Sequence, residues 1–247
     1  MKYFNEYDLI YGAMTHNIDY KKHLNSVTPE TVLENLKRKG ETIPLSKEFI
    51  VTDESIEEEN FAKLPENVKD NLNKFKYDIN HAKDDDTKEK ILKNLLKLQG
   101  NYPDVPVIYN FLTVTYGFLE DKEKRYQMII KTKEKFPDYF FGKSALGDYY
   151  LQNNLSNKIL SAFDNKLEIY TCIPRKSKIY HISEVRAFYS LIGQYYLSQN
   201  KIGHALLCYF LLKKIDAKHP PTILLGKMIV LVELDNICKK IIERSKH

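Results

Sequence analysis

The sequence predicts an all-α protein built from repeated helix hairpins, and three observations carry that expectation. One pattern of large apolar residues recurs: Tyr109-x-x-Leu112-x-x-x-Tyr116, Leu146-Gly147-x-x-Tyr150 and Tyr189-x-x-Ile192-Gly193-x-x-Tyr196. On a common frame the units begin near Leu72, Pro106, Phe140, Arg186 and Pro220, spaced 34, 34, 46 and 34 residues apart. A period of that size marks stacked units, each too small to bury its apolar face alone. Finally, Pro137 and Pro174 follow two of the hairpins, and Ile215-Asp216 fills the corresponding loop of the third.

Residues 1–65 do not fit the frame. Thr28-Pro29-Glu30 reads as an N-cap followed by proline at the first helical position. Val32, Leu33 and Leu36 give that helix an apolar stripe, and Gly40 is its stop. Phe49-Ile50-Val51 reads as a short extended segment. Asp53 to Asn60 is acidic and nearly devoid of apolar side chains, a surface linker. The expected organisation is an N-terminal region, 1–65, mostly helical and partly irregular, acting as a cap or accessory segment, followed by a repeat domain, 66–247.

Beyond Pro65, Val68, Leu72, Phe75 and Ile79 recur on one helical face. Asp84-Asp85-Asp86 separates this helix from the next, and Asp86 with Glu89 resembles a capping box. Ile91, Leu92, Leu95, Leu96 and Leu98 follow, with Gly100 as the stop. The Pro106 unit pairs Tyr109, Leu112 and Tyr116 with Tyr126, Ile129 and Ile130. The Phe140 unit pairs Leu146, Gly147 and Tyr150 with Ile159 and Phe163. The Arg186 unit pairs Tyr189, Ile192, Gly193 and Tyr196 with Ala205 and Tyr209. Gly193 and Ala205 are small because two helices approach closely only where side chains are short.

The longer step holds extra residues around Cys172 to Ser183. Its basic segment, Pro174 to Lys178, reads as a solvated loop, or else as an insertion on a binding face. The segment from Pro220 carries Ile223, Leu224, Met228, Val230 and Leu231, rich for a terminal helix. It is expected to fold back on the repeats or to form a homodimer interface.

The pattern of large residue, Leu, Gly and Tyr in one helix and Ala with an aromatic in the next resembles the tetratricopeptide repeat (TPR) family, in degenerate form over roughly residues 72–240. Arg125 and Ile159 depart from the family by standing where a small residue is usual. The resemblance implies a right-handed α-solenoid whose first helices line a concave groove. Groove positions would be Val107, Asn110, Val114 and Gly117; then Phe141, Ser144, Asp148 and Leu151; then Ala187, Ser190, Gln194 and Leu197. Such a mixed lining suits a helix or an extended peptide. Some co-chaperones of the family clamp a terminal carboxylate with paired cations. Here only Asn110 matches in kind, so that ligand is not expected.

Several classes are argued against. No phosphate-binding glycine loop, dinucleotide fingerprint, His-Glu-x-x-His or nucleophile elbow occurs. Asp84-Asp85-Asp86 lacks the glycine and ligand spacing of a calcium loop. His181 is read as an ordinary hydrogen-bonded or exposed histidine. No cofactor, metal or catalytic activity is therefore expected. Cys172, Cys208 and Cys238 are few and far apart, reading as reduced thiols in an apolar core. With no signal-type apolar run and no span of the about 20 residues a bilayer requires, the expected location is cytoplasmic.

The net charge is +5, with the basic excess toward the C-terminus. Those cations fall at helical spacing and read as solvated faces, so nucleic acid is not the expected partner. The main expectation is a scaffold or adaptor binding a protein or peptide segment in the groove. The alternatives are a bacterial secretion chaperone or effector-type adaptor, a nucleic-acid-binding repeat protein using the basic C-terminal half, and an enzyme with its site in the N-terminal region.

Overall fold

The structure, a computed structural model, describes residues 3–55, 59–82 and 84–246. It is mostly helical, as expected, with fourteen α-helices and two three-residue strands among the described residues. The chain divides into two compact units. A terminal unit joins the residues up to Thr52 with those from Asn153 onward, and a central unit comprises Asp53–Gln152.

The N-terminal part of the terminal unit begins with α1 (Glu6–Met14) and α2 (Tyr20–Asn25), capped by the side chains of Asn5 and Asp19. Helix α3 (Pro29–Arg38) starts where the sequence places it. The Thr28 hydroxyl accepts from the Thr31 N–H at 3.3 Å, and Pro29 occupies the first turn. It also stops at Gly40, whose φ of 67° is left-handed. The Gly40 N–H donates to Lys37 O and the Glu41 N–H to Leu36 O, both at 3.0 Å, a Schellman closure. Strand β1 (Ile50–Thr52) occupies the expected extended segment and pairs in parallel with β2 (Ile179–His181), Ile50 opposite Ile179.

The central unit holds α4 (Glu59–Ala62), α5 (Glu66–His81), α6 (Asp85–Asn101), α7 (Pro106–Phe118), α8 (Lys122–Lys135) and α9 (Phe140–Gln152). Residues 56–58 of the acidic linker lie outside the described residues. Two local expectations need correction. The cap of α6 is Asp84, not Asp86: its carboxylate accepts from the Thr87 N–H at 2.7 Å and the Thr87 hydroxyl at 2.9 Å. Gly100 does not stop α6, which continues to Asn101. The break comes at Tyr102, the residue before Pro103, which the proline ring keeps out of helical geometry. Phe136 before Pro137 ends α8 in the same way. Leu72, Ile91, Leu95, Ile108, Tyr109 and Leu112 share one buried cluster. Helix α5 packs on α6 and α7, α7 also on α6, α8 and α9, and α8 on α9.

The C-terminal part of the terminal unit opens with a 3-10 turn (Ser156–Lys158), α10 (Ile159–Ala162) and α11 (Ile169–Cys172). The expected second helix of the Phe140 unit is thus broken into short pieces. Asp164 and Asn165 adopt left-handed φ of 53° and 60°, which an α-helix of L-residues does not accommodate. Ile159 and Phe163 are nevertheless fully buried. Three long helices complete the unit: α12 (Ile182–Ser198), α13 (Ile202–Asp216) and α14 (Pro220–Arg244). Each packs on the other two.

The extra residues before α12 are structural. The Arg175 guanidinium donates to both carboxylate oxygens of Glu184 at 2.7 and 2.8 Å. Glu184 also accepts from the His181 N–H at 2.9 Å, and the His181 ring accepts from the Ser183 N–H at 3.2 Å. His181 is therefore the N-cap of α12, in a capping box.

Helix α3 packs on α13, and α1 and α2 pack on α14. Leu225, Ile229, Val230 and Ile237 of α14 are buried, whereas Ile223, Leu224 and Leu231 stay exposed. Cys172 and Cys208 are buried, but Cys238 is exposed on α14, correcting the expectation of a core thiol there.

Candidate functional site

In the central unit the eight expected groove residues lie on α7 and α9, and none is buried. Val107, Asn110, Gly117, Phe141, Ser144, Asp148 and Leu151 are half-buried, and Val114 is exposed. Phe118, one turn beyond Val114, is exposed as well. The remainder of α7 faces the core through Ile108, Tyr109, Leu112 and Tyr116. One of the eight residues, Asp148, is tied to Arg125 of α8. Its guanidinium donates to Asp148 at 2.9 Å and to Gln152 at 2.7 Å, and the Gln152 amide donates to Asp148 at 2.8 Å. A Cβ at Gly117 would stand 3.4 Å from Arg125 Nε. The room that the sequence frame seeks beside residue 125 is thus supplied by Gly117 on the facing helix. Burial raises the Asp148 carboxyl above its ordinary range, and Arg125 opposes that shift.

In the terminal unit the four expected positions on α12 separate into two kinds. Ala187 and Ser190 are half-buried, and the Ser190 hydroxyl donates back to Ala187 O at 3.2 Å. Gln194 and Leu197 are buried, each only 6 % exposed. These two do not line an open surface, a correction to the sequence reading. Helix α12 packs against α10, α13, α14 and the 3-10 turn, and in its last turn Tyr196 and Leu197 are buried while Tyr195 is half-buried and Ser198 exposed.

The cations that make the C-terminal half basic are partly committed within the fold. Arg175 pairs with Glu184, Arg186 with Asp216 at 2.7 Å, Lys239 with Asp235 at 2.6 Å, and Lys213 donates to Asn25 at 2.9 Å.

A second feature lies wholly within the terminal unit and has no counterpart in the sequence reading. A pocket of about 860 Å³ opens between the end of α3, the start of α13 and the middle of α14. The Schellman turn after α3 brings Lys39 and Glu41 to it, the N-cap and first turn of α13 bring Lys201 and His204, and α14 brings Glu233 and Lys240. Asn236 donates to Asn200 at 2.7 Å across its mouth. Gly203 lies so close to the Tyr3 hydroxyl that a Cβ has no room. His204 is 4 % exposed, with Nε2 at 2.8 Å from Thr42 O. Burial lowers its pKa, Thr42 and Glu41 opposing. Burial also raises the Glu233 carboxyl, against the pull of Lys240.

These groups come from three distant stretches of chain. No spacing rule links them, and the only local hint was that Lys201 stands at a helix start where an anion or a small hydroxyl residue is usual.

No family model, curated protein or solved structure matches this chain. Among the described residues no cluster of three metal-ligating side chains occurs, and no helix is long and apolar enough to cross a membrane.

Proposed function

We propose that this chain is a protein-interaction scaffold or adaptor whose helix hairpins are TPR-like repeats of a right-handed α-solenoid, and that a peptide or protein segment docks on the α7–α9 face of the central unit. The observation that carries this reading is the contrast between the two sides of α7. One side is buried in the core, and the other presents Val107, Asn110, Val114 and Phe118 in successive turns outside it. Phe141 and Ser144 of α9 extend the same kind of mixed surface. Packing of α5 on α6, α6 on α7, α7 on α8 and α8 on α9, and of α7 on both α5 and α9, supports the repeat reading. A surface of exposed apolar side chains among hydrogen-bonding groups suits an amphipathic helix or an extended segment.

The test is capture of partners from the native host with the wild-type chain and with an Asn110→Glu, Val114→Glu double variant. Both positions lie outside the core, so the variant keeps its circular dichroism and melting temperature. A protein captured by the wild type and lost from the variant supports the reading. An identical set captured by both overturns it.

A further inference from the structure

We propose that the pocket between α3, α13 and α14 is a binding site for a hydrogen phosphate group, either free or as the terminal group of a small phosphorylated compound. It is independent of the α7–α9 surface, because it lies in the other unit and uses none of the same residues.

Three features of the pocket converge on that chemistry. The first is the start of α13, a helix of fifteen residues. Its N-cap is Lys201, and no side chain caps it. The N–H groups of a first turn are unpaired within the helix and carry partial positive charge, a natural seat for an anion. A lysine at this place is adverse unless an anion joins it.

The second is an unsatisfied buried atom. His204 Nε2 faces the Thr42 carbonyl at 2.8 Å. A carbonyl only accepts, so in the neutral ring Nε2 carries the proton and Nδ1 is an acceptor. Nδ1 is buried and has no hydrogen-bond partner. Glu41 Oε2, at 3.5 Å from it, is another acceptor. A ligand that satisfies Nδ1 must bring a donor.

The third is charge. Lys39, Lys201 and Lys240 line the pocket with Glu41 and Glu233. Lys39 lies 3.8 Å from Glu41, and the three ammonium groups outnumber the two carboxylates. An anion complements the remainder. Hydrogen phosphate combines both requirements: acceptor oxygens for the lysines and the α13 N–H groups, and one P–OH that donates to His204 Nδ1. Sulfate has the same charge and shape but no proton to donate at neutral pH.

Calorimetric titration of the full chain with inorganic phosphate, sulfate and glycerol phosphate at neutral pH tests this, with Lys201→Glu and Lys240→Glu as variants. Both lysines are exposed, so circular dichroism confirms that each variant stays folded. The expected result is saturable phosphate binding, weaker by about tenfold in either variant and weaker for sulfate in the wild type. The His204 ring signals shift in NMR on adding phosphate and stay still on adding sulfate. Tighter binding of glycerol phosphate below its second ionisation, near pH 6, assigns the site to esters. Tighter inorganic phosphate assigns it to the free ion. Absence of saturable binding, or binding indifferent to both lysine variants, overturns the site. Equal affinity for sulfate and phosphate overturns the role of His204.

Discussion

A Cβ placed on Gly193 of α12 would lie 2.6 and 2.9 Å from the two terminal methyl groups of Leu225 on α14, and 3.4 Å from Cys208 Cβ on α13. Gly193 is therefore the point at which three helices converge, and the partner it makes room for is Leu225. Leu225 and Cys208 are both fully buried and have little freedom to retreat. Gly193→Leu is expected to destabilise the terminal unit by about 1–3 kcal/mol or more through overpacking. Gly100→Ala is the control: nothing lies within 4 Å of its Cβ position, so the lower backbone freedom of alanine should stabilise α6 by roughly 0.5–1 kcal/mol. Urea titrations of both variants give the comparison. Equal stability of Gly193→Leu and wild type would remove the close-packing argument.

Removing one half of the Arg175–Glu184 pair leaves an ion without its partner. Glu184 is 6 % exposed and its carboxylate holds both Arg175 and the first turn of α12. Arg175→Ala is expected to cost about 3 kcal/mol, as for breaking a buried pair from one side. The double variant Arg175→Ala, Glu184→Gln should recover part of this loss, because the stranded charge is gone. A double variant less stable than Arg175→Ala would show instead that the cap of α12 outweighs the charge.

The pair formed by Arg125 and Asp148 should behave differently. The side chain of Asp148 is 42 % exposed and that of Arg125 is 23 %, so solvent screens the interaction. Arg125→Ala is expected to change stability by no more than about 1 kcal/mol. A loss several times larger in thermal melts would mean that the guanidinium organises α8 and α9 beyond this pair.

Acidification should weaken the fold through its histidines. His23, His204 and His219 each have a pKa below the ordinary 6.5, in every case chiefly because burial disfavours the charged ring. As pH falls through 6.5 the unfolded chain takes up protons that the folded chain refuses, so stability falls from there toward the lower folded values. The raised carboxyls of Glu168 and Glu233 act in the opposite sense, because the folded state holds their protons more tightly. His219→Asn isolates one histidine: His219 is the N-cap residue of α14 but its side chain makes no cap hydrogen bond, and asparagine removes the titration while suiting that position. The fall in melting temperature between about pH 7.5 and about pH 5.5 should become shallower in that variant. An unchanged slope would count against a lowered His219 pKa.

Legibility of the fold follows the range of the interactions involved. Thr28 and Gly40 bound α3 where the sequence places them, because a cap and a left-handed glycine act within a few residues. The capping residue before α6 was misplaced by two positions, since three consecutive aspartates offer equivalent candidates and only backbone geometry selects Asp84. Ile159 and Phe163 are buried as their spacing suggests, but the helix they were expected to share is interrupted at Asp164 and Asn165. Apolar periodicity reports which side chains are buried and is insensitive to a local break in the backbone.

The candidate sites divide along the same line. On α7 the packing positions Tyr109, Leu112 and Tyr116 are buried and the groove positions implied by the resemblance are not, whereas on α9 Tyr150, placed with the packing residues, is only half-buried. For α12 helical spacing failed at Gln194 and Leu197, because neighbouring helices cover these two residues on sides that spacing cannot anticipate. The sequence by itself determined the helical class, the limits of α3, the proline-led starts of α7 and α14 and many of the large residues that fill the core, all set by local backbone preferences and apolar period. Only the tertiary structure decided that Leu225 fills the space beside Gly193, that Arg175 serves α12, and that Glu41, His204 and Glu233 meet in one pocket. Those relationships join residues far apart in the chain, and packing rather than spacing brings them together.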